Sequence, residues 1–206
     1  MSLYNYLTDS FGFNEPIMTE EISFNGYSKP WLYKELNKLC ESGKLVRYEK
    51  GVYYIPTETA LGKSVLNPRK VIEKKYVSGA NGTIGYYSGI TFLNKLGLTT
   101  QMPNAIEIYT NKEMSQVRDV FVGKQKVTIR KARTEINEEN ATILGFLELM
   151  NFVTASFFDE EKKNKICQYI KEQGITRKAV TKYAPLFPDK AMRTLVESEV
   201  IYDIAQ

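Results

Sequence analysis

Apolar residues recur at helical spacing early in the chain. Leu32, Leu36 and Leu39 follow one another every three or four positions and would form one apolar stripe along a helix. Ser28, just before them, is a residue type that commonly caps a helix N-terminus because its hydroxyl accepts a free backbone N–H. The pattern therefore predicts a helix over residues 29–42.

The residues after this helix predict a hairpin of two short strands. Gly43 can adopt the left-handed conformation that ends a helix. The runs LVRY (45–48) and VYYI (52–55) are rich in β-branched and aromatic residues, with Gly51 in the turn between them. A helix followed at once by a basic hairpin is the order of a winged helix-turn-helix. We therefore predict that residues 1–60 form a DNA-binding domain of this fold.

The residues upstream predict the rest of that motif. Residues 3–11 fit a first helix, PIMTEEIS (16–23) fits a second, and Phe24-Asn25-Gly26 (24–26) would be the turn that follows. Residues 1–27 carry four acidic and no basic side chains, a net charge of −4, whereas residues 28–50 carry six basic and three acidic ones, a net charge of +3. Only the second half of this domain therefore has the charge that phosphate requires.

The outer face of the predicted helix and the hairpin supply the candidate DNA contacts. A helical wheel with Leu32 directed inward turns lysine, asparagine and tryptophan side chains outward. Lysine neutralises phosphates, and asparagine can make a bidentate contact with adenine in the major groove. The candidate DNA-binding residues are Ser28, Lys29, Trp31, Tyr33, Lys34, Asn37, Lys38, Lys44, Arg47 and Lys50. The alternative is an ordinary solvated helix face, but the adjacent hairpin favours DNA.

Residues 61–206 predict a second domain that mixes strands and helices. A change of composition over residues 57–68 indicates a linker before it. A small sheet is predicted within residues 105–133, with two of its strands joined at Gly123-Lys124. Helices are predicted over 69–76, up to Gly97, and near 138–153, 160–173, 176–184 and 189–198. The predicted fold class is α+β: an N-terminal winged helix-turn-helix followed by a mixed domain whose small sheet is packed by several helices.

Positive charge is concentrated in the middle of the chain. Residues 61–135 hold thirteen basic and five acidic side chains, a net charge of +8, whereas residues 136–206 hold nine and eleven, a net charge of −2. In the segment KVTIR, apolar and basic residues alternate, so one face of the strand would be basic. Lys124, Lys126 and Arg130 form a candidate second basic surface. A solvated outer face that discourages edge pairing explains the same pattern equally well.

The sequence predicts no enzyme, no metal site and no cofactor. The chain has no histidine, which removes the commonest general base and every Ser-His or Cys-His nucleophile pair. A metal-dependent nuclease would place an acid-x-Lys tripeptide along strands, but Glu73-Lys74-Lys75 and Glu160-Glu161-Lys162 both lie in helical patterns. GANGTIG (79–85) lacks the lysine that would follow in a P-loop.

Cysteine usage and hydropathy favour the cytoplasm. Cys40 and Cys167 lie far apart and lack metal-ligand spacing, so we expect reduced, buried thiols. No run of eighteen apolar residues is present, and Glu148 interrupts the most apolar helix, so no membrane partner is expected. The N-terminus has neither the basic start nor the apolar core of a signal peptide.

Three sequence motifs carry a resemblance to a known family. The first is SGKLVRYEKGVYYIP (42–56), which follows the family pattern G-x-L-x-R…G-V-Y-Y-x-P. The second is SGITFLNKLGLTTQMP (88–103) followed by EIYTNK (107–112), and the third is KYAPLFPDKAMRTLV (182–196). Taken together, these motifs resemble the AbiEi family of antitoxins from bacterial type IV toxin–antitoxin (abortive infection) systems. The resemblance covers both predicted domains and is closest to a compact branch formerly known as a domain of unknown function.

The resemblance implies a transcriptional autorepressor that is also an antitoxin. Its N-terminal winged helix would bind double-stranded DNA at inverted repeats near its own promoter, and its C-terminal domain would counteract a nucleotidyltransferase-type toxin without a stable complex. One difference from the family is that the predicted recognition helix has no arginine, the usual reader of guanine.

Two other functions remain open on the sequence. The chain could be an ordinary winged-helix transcription regulator whose second domain oligomerises or senses a ligand; a neighbouring nucleotidyltransferase gene would argue against this. It could also be a metal-dependent nucleic-acid enzyme, which a cleavage assay with magnesium would test.

Overall fold

The computed structural model describes residues 2–24, 28–60 and 62–205. The chain has a mixed α+β fold and divides into two compact units, Met1–Lys75 and Tyr76–Gln206. No helix in the described part of the chain is both long enough and apolar enough to cross a membrane.

Unit 1 combines a three-stranded sheet with three helices and a small hairpin. Its elements are α1 (Leu3–Phe11), β1 (Ile17–Met18), a 3-10 turn (Thr19–Glu21), α2 (Lys29–Glu41), β2 (Val46–Glu49), β3 (Val52–Tyr54), β4 (Glu58–Thr59), β5 (Gly62–Lys63) and α3 (Pro68–Glu73), which continues into a π-helical segment (Lys74–Ser78). The sheet order is β1-β3-β2 with antiparallel neighbours. The apolar faces of α1 and α2 meet it around Leu7, Ile17 and Leu36, which are fully buried.

The prediction of a helix over PIMTEEIS (16–23) is wrong. Ile17 and Met18 form β1 instead, opposite Tyr53 and Val52 of β3, and only the one 3-10 turn follows. Both residues are buried, and β3 offers backbone partners that a local helix would leave unpaired. The Phe24-Asn25-Gly26 turn lies in part outside the described residues, since positions 25–27 are not described.

The boundary between the units lies at 75/76 and not at the predicted 60/61. The predicted linker over 57–68 holds the β4–β5 hairpin and the start of α3. Side-chain hydrogen bonds tie this segment to the rest of unit 1: Asn14 Nδ2 donates to Thr57 Oγ1 at 2.9 Å, and the Tyr54 hydroxyl donates to the Ser64 carbonyl at 3.1 Å.

Three lysines at the end of unit 1 strengthen that attachment. Their ammonium groups pair with carboxylates from earlier in the unit: Lys70 with Glu15, Lys74 with Glu21 at 2.7 Å, and Lys75 with Glu49 at 2.6 Å. The cations counted in the basic middle of the sequence therefore partly serve to neutralise the acidic N-terminal segment.

Unit 2 packs a four-stranded sheet and several helices around one long apolar helix. Its elements are β6 (Gly85–Tyr87), α4 (Gly89–Lys95), β7 (Ile106–Thr110), β8 (Val117–Val122), β9 (Gln125–Lys131), α5 (Ala141–Phe152), α6 (Glu160–Glu172), α7 (Arg177–Tyr183) and α8 (Asp189–Glu197). The order is β6-β7-β9-β8, with β7 and β9 parallel and the other neighbours antiparallel. The predicted helices and the hairpin at Gly123-Lys124 are confirmed.

The core of unit 2 surrounds α5. Every residue of α5 from 143 to 150 is buried, because helices α4, α7 and α8 and strand β6 all pack against it. Strand β6 was not predicted. A side chain at Gly85 would place its Cβ 2.1 Å from the Tyr76 carbonyl oxygen, so this short strand requires glycine.

Candidate nucleic-acid interface

Helix α2 presents a polar outer face because its apolar stripe is buried. Ser28 caps its N-terminus, its Oγ accepting the Trp31 N–H at 3.4 Å. Leu36 is fully buried in the core of unit 1. Lys34 and Asn37, on the opposite side of the helix, are exposed, as the helical wheel predicts. The burial of Leu36 and the exposure of Lys34 and Asn37 therefore agree with the wheel.

Trp31 does not belong to this exposed face. Its indole ring stacks on Phe24, with 6.1 Å between the ring centroids and 4° between the planes. The side chain is half-buried. Trp31 therefore fixes the start of α2 against the preceding segment, whereas the neighbouring Tyr33 ring is exposed.

Lys34 and Lys38 differ in their surroundings although they lie one turn apart. The Lys38 ammonium pairs with the Glu35 carboxylate at 2.5 Å. Lys34 makes no ion pair with any described residue. A cation that is already paired must exchange that partner before it contacts a phosphate, so Lys34 is the stronger candidate for an anion contact.

The β2–β3 hairpin carries two further exposed cations. Arg47 and Lys50 are exposed, and neither pairs with a carboxylate within the described residues. Gly51, with φ +80°, provides the left-handed turn position that the hairpin needs. The register between β2 and β3 shifts between Arg47 and Glu49, a bulge that increases the local strand twist.

The ends of α2 add positive charge to the same unit. Lys29, at its start, is exposed and has no ion pair among the described residues. Lys44, after its end, holds its ammonium 5.4 Å from the centroid of the Tyr4 ring. Glu15, Glu21 and Glu49 do not pair with these cations, because each is paired with a lysine of the segment after the hairpin.

Residues 21–178 match a family described as a family of unknown function, DUF6088. The chain belongs to that family. No curated protein matches it. The matched range of this DUF6088 chain includes α2, the β2–β3 hairpin and the whole β6-β7-β9-β8 sheet.

The second basic surface of the DUF6088 chain is less basic than the sequence predicts. Lys126 pairs with Asp119 at 2.8 Å, and Arg130 lies 3.5 Å from Glu107. Hydrogen bonds from Lys126 and then from the Thr128 hydroxyl lower the pKa of Asp119. The carboxylates come from β7 and β8, the strands on either side of β9, so the KVTIR pattern alone could not reveal them. Lys124, in the turn, is exposed.

Sequence reasoning missed a polar cluster between the sheet and α5. The Glu148 carboxylate, only 6% exposed, accepts hydrogen bonds from Arg133 Nε at 2.9 Å and from Asn151 at 3.0 Å. Burial and then the Glu148 charge raise the pKa of Tyr109, whose ring stacks on Tyr86 at 5.3 Å. The Tyr86 hydroxyl has no hydrogen-bond partner among the described residues. The one available signal was a glutamate inside an otherwise apolar helix.

A possible metal-ligand set would come from the carboxylates and the two thiols. Within residues 2–24, 28–60 and 62–205, no three Cys, Asp or Glu side chains lie close enough together to hold a metal ion. Burial raises the pKa of the Cys40 thiol, and burial together with a hydrogen bond that the Cys167 thiol donates to the Asp203 carboxylate raises the pKa of Cys167 to about 11.

The raised pKa values predict slow thiol chemistry. At pH 8 the thiolate of Cys167 would be about a thousandth of the total, so we expect Ellman's reagent to react with it at least about tenfold more slowly than with free cysteine. A Cys40→Ser variant isolates Cys167, and a rate profile against pH gives its pKa. A profile with its midpoint below pH 9 would contradict this expectation.

Proposed function

We propose that this DUF6088 chain is a DNA-binding autorepressor and antitoxin, with a winged helix-turn-helix in unit 1. One observation carries the DNA-binding part: an exposed helix face with Lys34 and Asn37 is followed directly by a hairpin with Arg47 and Lys50, and none of the four side chains is paired with another side chain among the described residues. Three carboxylates of the same unit, Glu15, Glu21 and Glu49, are paired with lysines of its last segment.

The chemistry of this face suits a duplex. The major groove of B-DNA admits an α-helix, and an amide on its outer face can accept and donate at one adenine edge. In this arrangement α2 enters the groove, Asn37 reads a base, and Lys29 and Lys34 contact phosphates. Arg47 and Lys50 on the hairpin contact the backbone beside the groove and so fix the register of the helix.

The antitoxin part rests on the sequence resemblance to the AbiEi family. The LGLTTQMP segment and the KYAPLFPDKAMRTLV segment, which carry much of that resemblance, both lie in unit 2. We therefore assign the neutralisation of a nucleotidyltransferase-type toxin to unit 2 and operator binding to unit 1. The protein would act without catalysis, in the cytoplasm and without a stable toxin complex.

The two assignments are tested by dividing the chain at the 75/76 boundary. The full chain is titrated with duplexes from upstream of its own gene and with scrambled duplexes, and cells that express a neighbouring nucleotidyltransferase are tested for growth. We expect residues 1–75 to retain operator preference and residues 76–206 to protect cells without binding DNA, because each is a compact unit with its own core.

Circular dichroism of both fragments is the control for folding. Equal affinity of the full chain for promoter and scrambled duplexes would contradict operator recognition. A folded fragment 76–206 that gives no protection would contradict the assignment of antitoxin action to unit 2.

A further inference from the structure

A concave site with a volume of about 400 Å³ opens in unit 2 beside the C-terminal end of β9. Three consecutive or nearly consecutive cations line it: Arg130, Lys131 and Arg133. Tyr109 also lines it, and so do the exposed apolar side chains of Val117 and Leu186. We call this site the Arg133 pocket. Its volume is within the range of small-molecule sites in proteins.

Two of the lining residues are held in place by the core. Arg133 donates to Glu148 from Nε at 2.9 Å and from Nη2 at 3.4 Å, and its guanidinium lies 4.8 Å from the centroid of Phe187. The stacking of Tyr109 on Tyr86 fixes the second wall. Side chains held by buried partners lose little entropy when a ligand binds, so the pocket is preorganised.

The cations of the pocket retain free hydrogen-bond donors. A guanidinium has five N–H groups, and Glu148 uses only part of those on Arg133. Arg130 has one ion-pair contact, to Glu107 at 3.5 Å, and Lys131 has no ion pair with a described residue. Three cations line one concavity whose lining contains no carboxylate, so the site attracts an anion. A dianion that accepts several hydrogen bonds fits this set better than a single carboxylate does.

We propose that the Arg133 pocket binds a small phosphate ester of mononucleotide size. Its phosphate would lie among Arg130, Lys131 and Arg133, and its apolar part would rest against Val117, Leu186 and the Tyr109 ring. The concave shape favours a small molecule over a nucleic-acid backbone, which needs an extended groove. This inference does not depend on DNA binding by unit 1, since all the lining residues lie in unit 2.

The proposal is tested by calorimetry on the full chain with nucleoside 5′-monophosphates, adenosine and inorganic phosphate as probes. We expect at least one monophosphate to bind, adenosine not to bind, and inorganic phosphate to bind about tenfold more weakly or worse. Lys131→Glu and Arg130→Gln should each weaken binding by about tenfold or more, because each removes a charged donor. Lys178→Glu, an exposed charge reversal on α7 outside the pocket, is the matched control and should change nothing.

The other outcomes each overturn the proposal or part of it. No binding of any monophosphate overturns it, and so does equal weakening by Lys178→Glu, which would indicate unspecific attraction. If inorganic phosphate binds as tightly as the monophosphates, the apolar residues of the pocket contribute nothing to binding, and that part of the proposal is wrong. A single-stranded oligonucleotide that binds through Lys131 while monophosphates do not would replace the small ligand with a nucleic acid. These conclusions require that each variant has the same melting temperature as the parent protein.

Discussion

Replacing Arg133 with methionine is expected to destabilise unit 2 by about 2–3 kcal/mol. The change leaves the Glu148 carboxylate, 6% exposed, without its cationic partner inside an apolar core. Breaking a fully buried pair costs more, but the Arg133 side chain is 26% exposed, and solvent reduces the effect. The free energy of unfolding is measured by urea denaturation followed by circular dichroism.

The double variant Arg133→Met/Glu148→Leu is the informative control. If the loss comes from an unpaired buried charge, removing the carboxylate as well should restore most of the stability, because the desolvation penalty disappears. Lys178→Ala, an exposed position on α7, should change stability by less than about 0.5 kcal/mol. A single Arg133→Met variant as stable as the parent would show that the pair contributes nothing to folding.

The features that were predicted well from the sequence depend on local spacing. The inward position of Leu36 and the outward positions of Lys34 and Asn37 follow from the helical period alone. The hairpin after α2 follows from its turn glycine, Gly51, whose left-handed φ few other residues adopt readily. The helices of unit 2 were also recognisable because their apolar residues keep a regular period.

The two failures in the fold involve partners that are distant in sequence. Ile17 and Met18 become a strand because β3, more than thirty residues later, offers them backbone hydrogen bonds. In the same way, the unit boundary moved because Lys74 and Lys75 pair with carboxylates about fifty and twenty-six residues earlier. Local propensity contains no information about such pairs.

For the candidate sites too, local features were predictable and contacts between separate elements were not. The charged face of α2 was predictable because it lies on one helix. The second basic surface was overestimated because its acidic neighbours stand on adjacent strands, and Asp119 lies opposite Thr128 only once β8 and β9 pair. The Arg133 pocket was missed because Arg133 and Glu148 meet only after the sheet packs on α5.

Lys34→Ala, Lys38→Ala and Asn37→Ala are expected to affect DNA binding in three different ways. Lys34 has no ion pair with a described residue, so its loss should weaken binding to all duplexes alike and reduce the log–log salt slope by about one. Lys38 is paired with Glu35, so its loss should reduce the slope by less. If Asn37 reads an adenine edge, its loss should weaken the binding free energy on the operator by roughly 1–3 kcal/mol and change binding to scrambled DNA little.

These three variants are compared by titration of the full chain against operator and scrambled duplexes at several salt concentrations. Circular dichroism accompanies each, and Leu36→Ala serves as the contrasting case, because loss of a fully buried side chain should weaken every interaction of unit 1 by destabilising its fold. If Lys34→Ala and Asn37→Ala bind both duplexes like the parent, α2 is not the helix that enters the groove. If Lys34→Ala lowers only operator affinity, its ammonium reads a base and not a phosphate, and the register of α2 in the groove must be revised.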